Sequence, residues 1–422
     1  MTRLHGAKPG RSKRRIHAAA RSLLLPLYTV TGGALAGQLE LEPYTAIRME
    51  HDSNVFRYED EDEAEAVSGD DQMGDTFLRA ALGVDARYDW AQQRSYFKGE
   101  VSRNQYDEFS QLDFTGYDVN AGWNWRAARA IDGTFDARQT RRIESFADVN
   151  TDTRTLQTVR EIDGMARFAI SPRWATQLGA QNREISNDRQ DGGDLEDGFD
   201  GGEDGFRENV AFVGLLYTGV DRLTAGLVGE YLKGEFFGFG TEGDYDEQTG
   251  KVTIDWKLSG ISSVSGALGY TTRSSDVEGE GSTSGITGDL SYTRQISAKT
   301  TFNASLYRRV DSYDANASTV TQLGGGAGFD WRPTRKVTAR LRYDYQQADF
   351  KNDQIDPTIG DDRQDDNHIA SLVIDFQPRW WLIVRPGVEF DARKSNQPGG
   401  DYDDERAYLE LEFRYGRSRM GQ

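Results

Sequence analysis

The stretch TFLRAALGVDARYDW, residues 76–90, decides the fold. One parity reads Leu78, Ala80, Leu82, Val84, Ala86, Tyr88, Trp90, and the other Phe77, Arg79, Ala81, Gly83, Asp85, Arg87, Asp89. Successive side chains of a strand point to opposite sides, so this alternation is a strand with one apolar and one polar face, and a helix would mix the two sets. The same period returns downstream. Tyr117, Val119, Ala121, Trp123 and Trp125 alternate with Asp118, Asn120, Gly122, Asn124 and Arg126. Near the C-terminus Val337, Ala339, Leu341, Tyr343 and Tyr345 oppose Arg340, Arg342 and Asp344, and Leu409, Leu411, Phe413 and Tyr415 oppose Glu410, Glu412 and Arg414.

Extended along the chain, the period predicts about eighteen strands, starting near residues 41, 75, 93, 113, 130, 154, 174, 207, 222, 245, 263, 284, 300, 318, 336, 366, 381 and 404. Even strands are followed by tight turns such as 91–93, 171–173 and 333–335, odd ones by longer polar loops, notably 57–74, 187–206, 351–365 and 396–403. An even strand count with short turns on one rim and long loops on the other predicts an all-β, antiparallel transmembrane β-barrel of the bacterial outer membrane. The apolar parity would face lipid and the polar parity the lumen. A propeller or β-helix would show shorter strands and a motif in each repeat, which is absent. Pro386 falls inside the seventeenth strand, where a bulge or local break is expected because proline lacks the ladder donor.

All eight tryptophans, Trp90, Trp123, Trp125, Trp174, Trp256, Trp331, Trp380 and Trp381, lie beside the short turns and predict the periplasmic aromatic girdle. Phe109, Phe146, Tyr231, Phe236, Tyr270, Tyr313 and Phe350 would form the opposite one. Phe236, Phe237 and Phe239, spaced by Gly238 and Gly240, stand at the outer mouth, with interfacial anchoring or stacking on sugar rings as their two readings.

Composition agrees once it is assigned to places. A net charge of -19 with 36% hydrophobic residues is the balance of a disordered chain, yet 19 Tyr, 20 Phe and 8 Trp oppose that reading. Segment 1–36 joins a basic run to the apolar stretch 23–36, ending Ala34-Leu35-Ala36, and reads as a secretory signal peptide cleaved between Ala36 and Gly37. Its loss removes seven basic residues and leaves residues 37–422, the barrel, near about -26. Loops 57–74 and 187–206 and the stretch 351–366 hold twenty-two acids against four bases. Such runs are usually solvated; the alternative is calcium at Asp191, Asp194, Asp197 and Asp200, for which the EF-hand spacing is absent.

The absence of cysteine excludes a disulfide scaffold and thiol chemistry. Only His51 and His368 lie beyond the first forty residues, and no nucleophile motif accompanies them, so neither an enzyme nor a cofactor is expected. The inferred lumen mixes signs: Arg79, Asp85, Arg87, Asp118, Arg340, Arg342, Asp344, Arg385, Glu389, Asp391, Arg393, Glu410, Glu412 and Arg414. Mixed charge argues against a narrow ion-selective pore and suits a hydroxyl-rich solute, or else the groups simply satisfy one another.

The opening strand ends in DSNVFR, residues 52–57. Together with the plan of signal peptide, about 400 residues and eighteen strands, this resembles the exopolysaccharide-associated outer-membrane barrels grouped as β-barrel porins of the second type. The resemblance implies a passive conduit for a polysaccharide chain, working beside a short periplasmic polysaccharide-export protein in a membrane of lipid and lipopolysaccharide. The alternative is a general diffusion porin for small solutes. The C-terminus departs from the common terminal aromatic, because Phe413 and Tyr415 are followed by residues 416–422.

Overall fold

The computed structural model describes residues 38–147, 153–189, 203–220, 222–238, 243–276, 282–313, 318–350 and 363–416. Eighteen strands follow one another: β1 Gln38–Asp52, β2 Asp75–Trp90, β3 Gln93–Tyr106, β4 Phe114–Ala128, β5 Ile131–Ile143, β6 Thr155–Ala169, β7 Trp174–Arg189, β8 Glu203–Val220 and β9 Leu223–Phe237. The second half comprises β10 Gly243–Ser259, β11 Ser262–Ser275, β12 Ser282–Ser297, β13 Thr300–Tyr313, β14 Ser318–Thr334, β15 Val337–Phe350, β16 Gln364–Arg379, β17 Leu382–Ser395 and β18 Tyr402–Arg414. Every start lies within a few residues of its sequence expectation. Each strand pairs antiparallel with its chain neighbours, and β1 pairs with β18 from Tyr44↔Arg414 to Asp52↔Arg406, so the sheet closes and has no edge.

The registers keep one parity of each strand on one face around the whole barrel, as in Arg79↔Asn104 and Glu100↔Asp118. Large apolar side chains stand exposed on the outer parity: Leu82 59%, Leu227 63%, Leu268 65% and Leu306 63%. In water such a belt would be a liability; in a bilayer it is the solvent-matched surface. Trp123, Trp174, Trp256, Trp331, Trp380 and Trp381 are all exposed at the short-turn rim. These features make the chain a transmembrane antiparallel β-barrel.

Pro386 pairs with Leu409 of β18 without a shift. Toward β16 the ladder is interrupted between Val373↔Gly387 and Phe376↔Val384. Proline's missing N–H therefore breaks one ladder locally and leaves the register intact.

At the long-loop rim the acidic run in 57–74 is not a plain solvated loop. Its centre forms helix α1, Glu61–Ser68, capped by Asp60, which accepts from Glu63 N at 2.9 Å, and closed by Gly69 in the left-handed region. Glu61, Asp62 and Glu63 occupy the first turn, where the helix dipole favours acids. Alternation cannot reveal a two-turn helix inside a loop; the Asp60-x-x-Glu63 spacing is the signal that could have.

Candidate functional site: the lumen and its outer mouth

Register places Arg79, Asp85, Arg87, Asp118, Arg340, Arg342, Asp344, Arg385, Glu389, Asp391, Arg393, Glu410, Glu412 and Arg414 on the inward face. Many join one circumferential chain of charges. Asp375 accepts from Arg340 and Arg385 at 2.6 Å each, and Arg385 also pairs with Glu410 and with Glu412 at 3.5 Å. Glu412 takes Arg414 at 2.5 Å, and Arg414 reaches Glu42 at 3.4 Å, carrying the chain from β15 to β1. Arg342 pairs with Asp330 at 2.6 Å, Arg138 with Asp118 at 2.8 Å and Arg406 with Glu389 at 2.5 Å. Arg79 pairs with Glu100, which also accepts the Tyr44 hydroxyl at 2.7 Å. These pairs are wet: side chains of Arg138, Arg87 and Arg342 remain 50%, 44% and 35% exposed.

Six aromatics on the inward parity were not anticipated as a set. Tyr44, Tyr96, Tyr245, Tyr307, Tyr408 and Phe212 each lie directly opposite a glycine of the next strand: Gly83, Gly122, Gly234, Gly324, Gly387 and Gly179. A Cβ at Gly83 would stand 2.2 Å from the Tyr44 ring, and one at Gly122 2.1 Å from that of Tyr96. Glycine thus lets each ring lie flat against the wall instead of filling the bore. An inward aromatic facing an inward glycine across one turn is a signal present in the sequence.

The DSNVFR segment folds over the mouth. Arg57 Nη1 stands 3.2 Å from Asp52 and Nη2 3.0 Å from Asp404, whose side chain is fully buried. Burial pushes the Arg57 guanidinium down, but Asp52 and Asp404 beside it outweigh that and raise it. Asn54 accepts from Tyr58 N at 3.0 Å and donates to the carbonyls of Tyr58 at 2.7 Å and Asp403 at 3.1 Å. Val55, Phe56, Tyr58, Ala64 and Leu112 form a small core. Phe109 and Phe146 meet Phe56 edge-on, each with centroids 4.8 Å away. Three loops therefore share one apolar cap. Phe109 and Phe146, expected in the outer girdle, are instead cap residues.

On the other side β7 and β13 approach. Arg183 Nη1 lies 3.3 Å from Asp311 Oδ1 and 3.7 Å from Glu208, and Arg273 bridges Glu208 at 3.5 Å and donates to the Asp311 carbonyl at 3.0 Å. Beside this network Ile185, Phe206, Phe236 and Tyr245 are buried together. Beside Arg183 a cavity of about 440 Å³ is lined by Arg79, Glu100, Asp118, Arg138, Arg142 and Arg183 itself.

Phe236 is 4% exposed within that buried cluster, so it neither stacks on a solute nor anchors in lipid. Phe350 is likewise buried, with Val320 and Ala348. Phe237 lies on the outward parity beneath Arg207, 5.9 Å from ring centroid to guanidinium. Tyr231 and Tyr270 are exposed on the outer parity. Phe239, the Tyr313 side chain, and Asp191, Asp194, Asp197 and Asp200 lie outside the described residues, as does segment 1–36. Among the described residues no group of three or more acids or histidines is arranged to hold a metal ion. His51 meets Thr76 Oγ1 at 3.1 Å and His368 meets the Tyr343 hydroxyl at 2.9 Å, both on the outward face.

No protein-family model matches the chain, and no curated protein matches it by sequence. Solved structures similar to it include the outer membrane protein OpdK from Pseudomonas aeruginosa, at 13% identity and TM-score 0.45, covering 89% of this chain and 99% of that one. OccAB4 from Acinetobacter baumannii is 11% identical with TM-score 0.46, covering 89% and 98%. The siderophore receptor PirA from Pseudomonas aeruginosa is 10% identical with TM-score 0.44, covering 89% and 80%.

Proposed function

We propose that this chain is an outer-membrane diffusion channel that passes small hydrated solutes without a partner, its long loops outward and residues 1–36 serving as the export signal cleaved before Gly37. The observation that carries this reading is the solvation of the inward face. Charged side chains of a closed eighteen-stranded wall keep a third to a half of their surface in water at Arg138, Arg87 and Arg342, and barrels of this strand count leave an aqueous channel. The mutual pairing of most inward charges supports a passive bore rather than a high-affinity site, because paired groups present little unmet bonding to a solute.

The test is conductance of the purified chain in a planar lipid bilayer. Steady single-channel steps without any added protein are expected, and a silent, correctly folded barrel would overturn the reading. The polysaccharide conduit implied by the resemblance is the second reading. It rests on DSNVFR, which here holds a folded cap over the mouth, a place where a partner could regulate opening. A barrel silent alone, whose deletion abolishes surface polysaccharide, would favour that conduit with its periplasmic export partner.

A further inference from the structure

Most inward charges cancel within ion pairs, but the remainder does not balance. Asp85, Asp136, Asp163, Asp255, Asp289 and Asp344 all face the lumen by register and make no ion pair among the described residues. Asp136 accepts from the Tyr96 hydroxyl and from Asn120 Nδ2 at 2.9 Å, both neutral donors that leave its charge intact. Within the paired registers the inward bases in the same condition are fewer, Lys98, Arg126 and Arg142, and Arg142 donates to Gln157 at 3.3 Å. The arginines around the outer cavity do not redress this, since Arg79, Arg138 and Arg183 are each held by carboxylates.

The position of the six carboxylates matters as much as their number. They belong to β2, β5, β6, β10, β12 and β15, spread around the wall rather than gathered in one patch. Each lies roughly four to eight residues from the short-turn end of its strand, about 10–20 Å up a tilted wall. Asp255, Asp289 and Asp344 are exposed to the bore, and the other three are half-buried. A solute that enters past the acidic mouth loops therefore meets a second, fixed excess of negative charge where it cannot avoid it. Low-dielectric walls focus such a field along the axis.

From this uneven pairing we infer that the bore is cation-selective and that its preferred solutes are small cations and neutral polar molecules, with Asp85, Asp136, Asp163, Asp255, Asp289 and Asp344 as the determinants of selectivity. This rests on the diffusion-channel reading above. It sharpens the sequence expectation, in which mixed sign alone argued against ion selectivity: sign is mixed, but more of the inward bases than of the inward acids are neutralised in place.

The test is the reversal potential of the full-length purified protein in a planar bilayer under a KCl gradient. A potassium-over-chloride permeability ratio of roughly threefold or more is expected at low salt, falling toward one at 1 M as the screening length contracts from about 10 Å to about 3 Å. The triple variant Asp255→Asn, Asp289→Asn, Asp344→Asn should keep its conductance and lose most of the preference. Conductance with no preference, or with preference for chloride, overturns the inference while leaving a diffusion channel. An unchanged ratio in the triple variant overturns the assignment of these carboxylates. If that variant does not assemble, the salt series on the unaltered chain decides the matter, and a silent barrel removes both readings together.

Discussion

Replacing Arg57 by alanine should release the cap from the mouth without unfolding the barrel. Arg57 is 11% exposed and stands between Asp52, equally buried, and Asp404, which is fully buried. Its removal leaves two carboxylates facing each other with one compensating cation, Arg406, whose Nε lies 2.9 Å from Asp404. Breaking a buried pair by deleting one partner costs about 3–5 kcal/mol, and the surviving Arg406 places this case near the lower end, about 3 kcal/mol. The barrel ladders do not pass through Arg57, so the cost falls on docking of the 53–74 loop. At about 1.4 kcal/mol per tenfold, the population of the undocked loop should rise roughly a hundredfold. Glu59, Glu61, Glu63 and Glu65 make that loop a substrate for a glutamate-specific protease, and cleavage under gentle conditions follows the population of the open form. R57A should therefore be cut about a hundred times faster within 59–65, while the R57A/D404N double variant recovers much of the protection, because it removes a charge that R57A leaves uncompensated. Equal cleavage rates in R57A and the parent would refute the account of Arg57 as the clasp.

Two further predictions concern local geometry. Gly83→Val places a side chain where the Tyr44 ring lies and should destabilise the barrel by about 1–3 kcal/mol, read as a lower urea midpoint in detergent or lipid, with Gly122→Val behaving alike against Tyr96. In the β17–β18 loop, burial pushes the Asp401 carboxyl up, but the Ser395 N–H at 2.7 Å and Lys394 Nζ at 2.9 Å outweigh it and hold the carboxyl below its usual range. A lowered folded-state value gives stability that is present above about pH 4 and is lost as pH falls through that lowered value. The protection factor of the Ser395 amide, its exchange rate corrected for the intrinsic pH dependence, should accordingly fall below pH 4, and D401N should show the lower protection already at pH 7, by about 1 kcal/mol; a pH-independent protection factor in the parent would contradict this.

The strands were legible because period two is a local property, and because each pleated wall separates lipid from water one residue at a time. That rule gives Leu82 to lipid and Arg79 to the lumen without any three-dimensional information. It also gives the inward parity of the charged residues, but not their partners. Whether Arg385 meets Asp375, Glu410 or Glu412 depends on register between strands, which no single strand encodes. The mouth was the least legible part. Phe56, Phe109 and Phe146 come from three loops and meet only after the barrel closes, so position beside a strand end assigned Phe109 and Phe146 wrongly to the lipid interface. Phe236 was misplaced for a related reason: near the long-loop rim an inward aromatic is buried by inward side chains of the neighbouring strands, here Ile185, Phe206 and Tyr245.

The contact between Arg183 and Asp311 has a consequence for how wide this protein is. Six strand steps separate β7 from β13, roughly 29 Å of wall at about 4.8 Å a step, far more than an arginine and an aspartate span together. The perimeter is therefore drawn inward at that height, where side chains of β7 and β13 meet. Eighteen strands then set the circumference of the wall but not the width of the bore at that height.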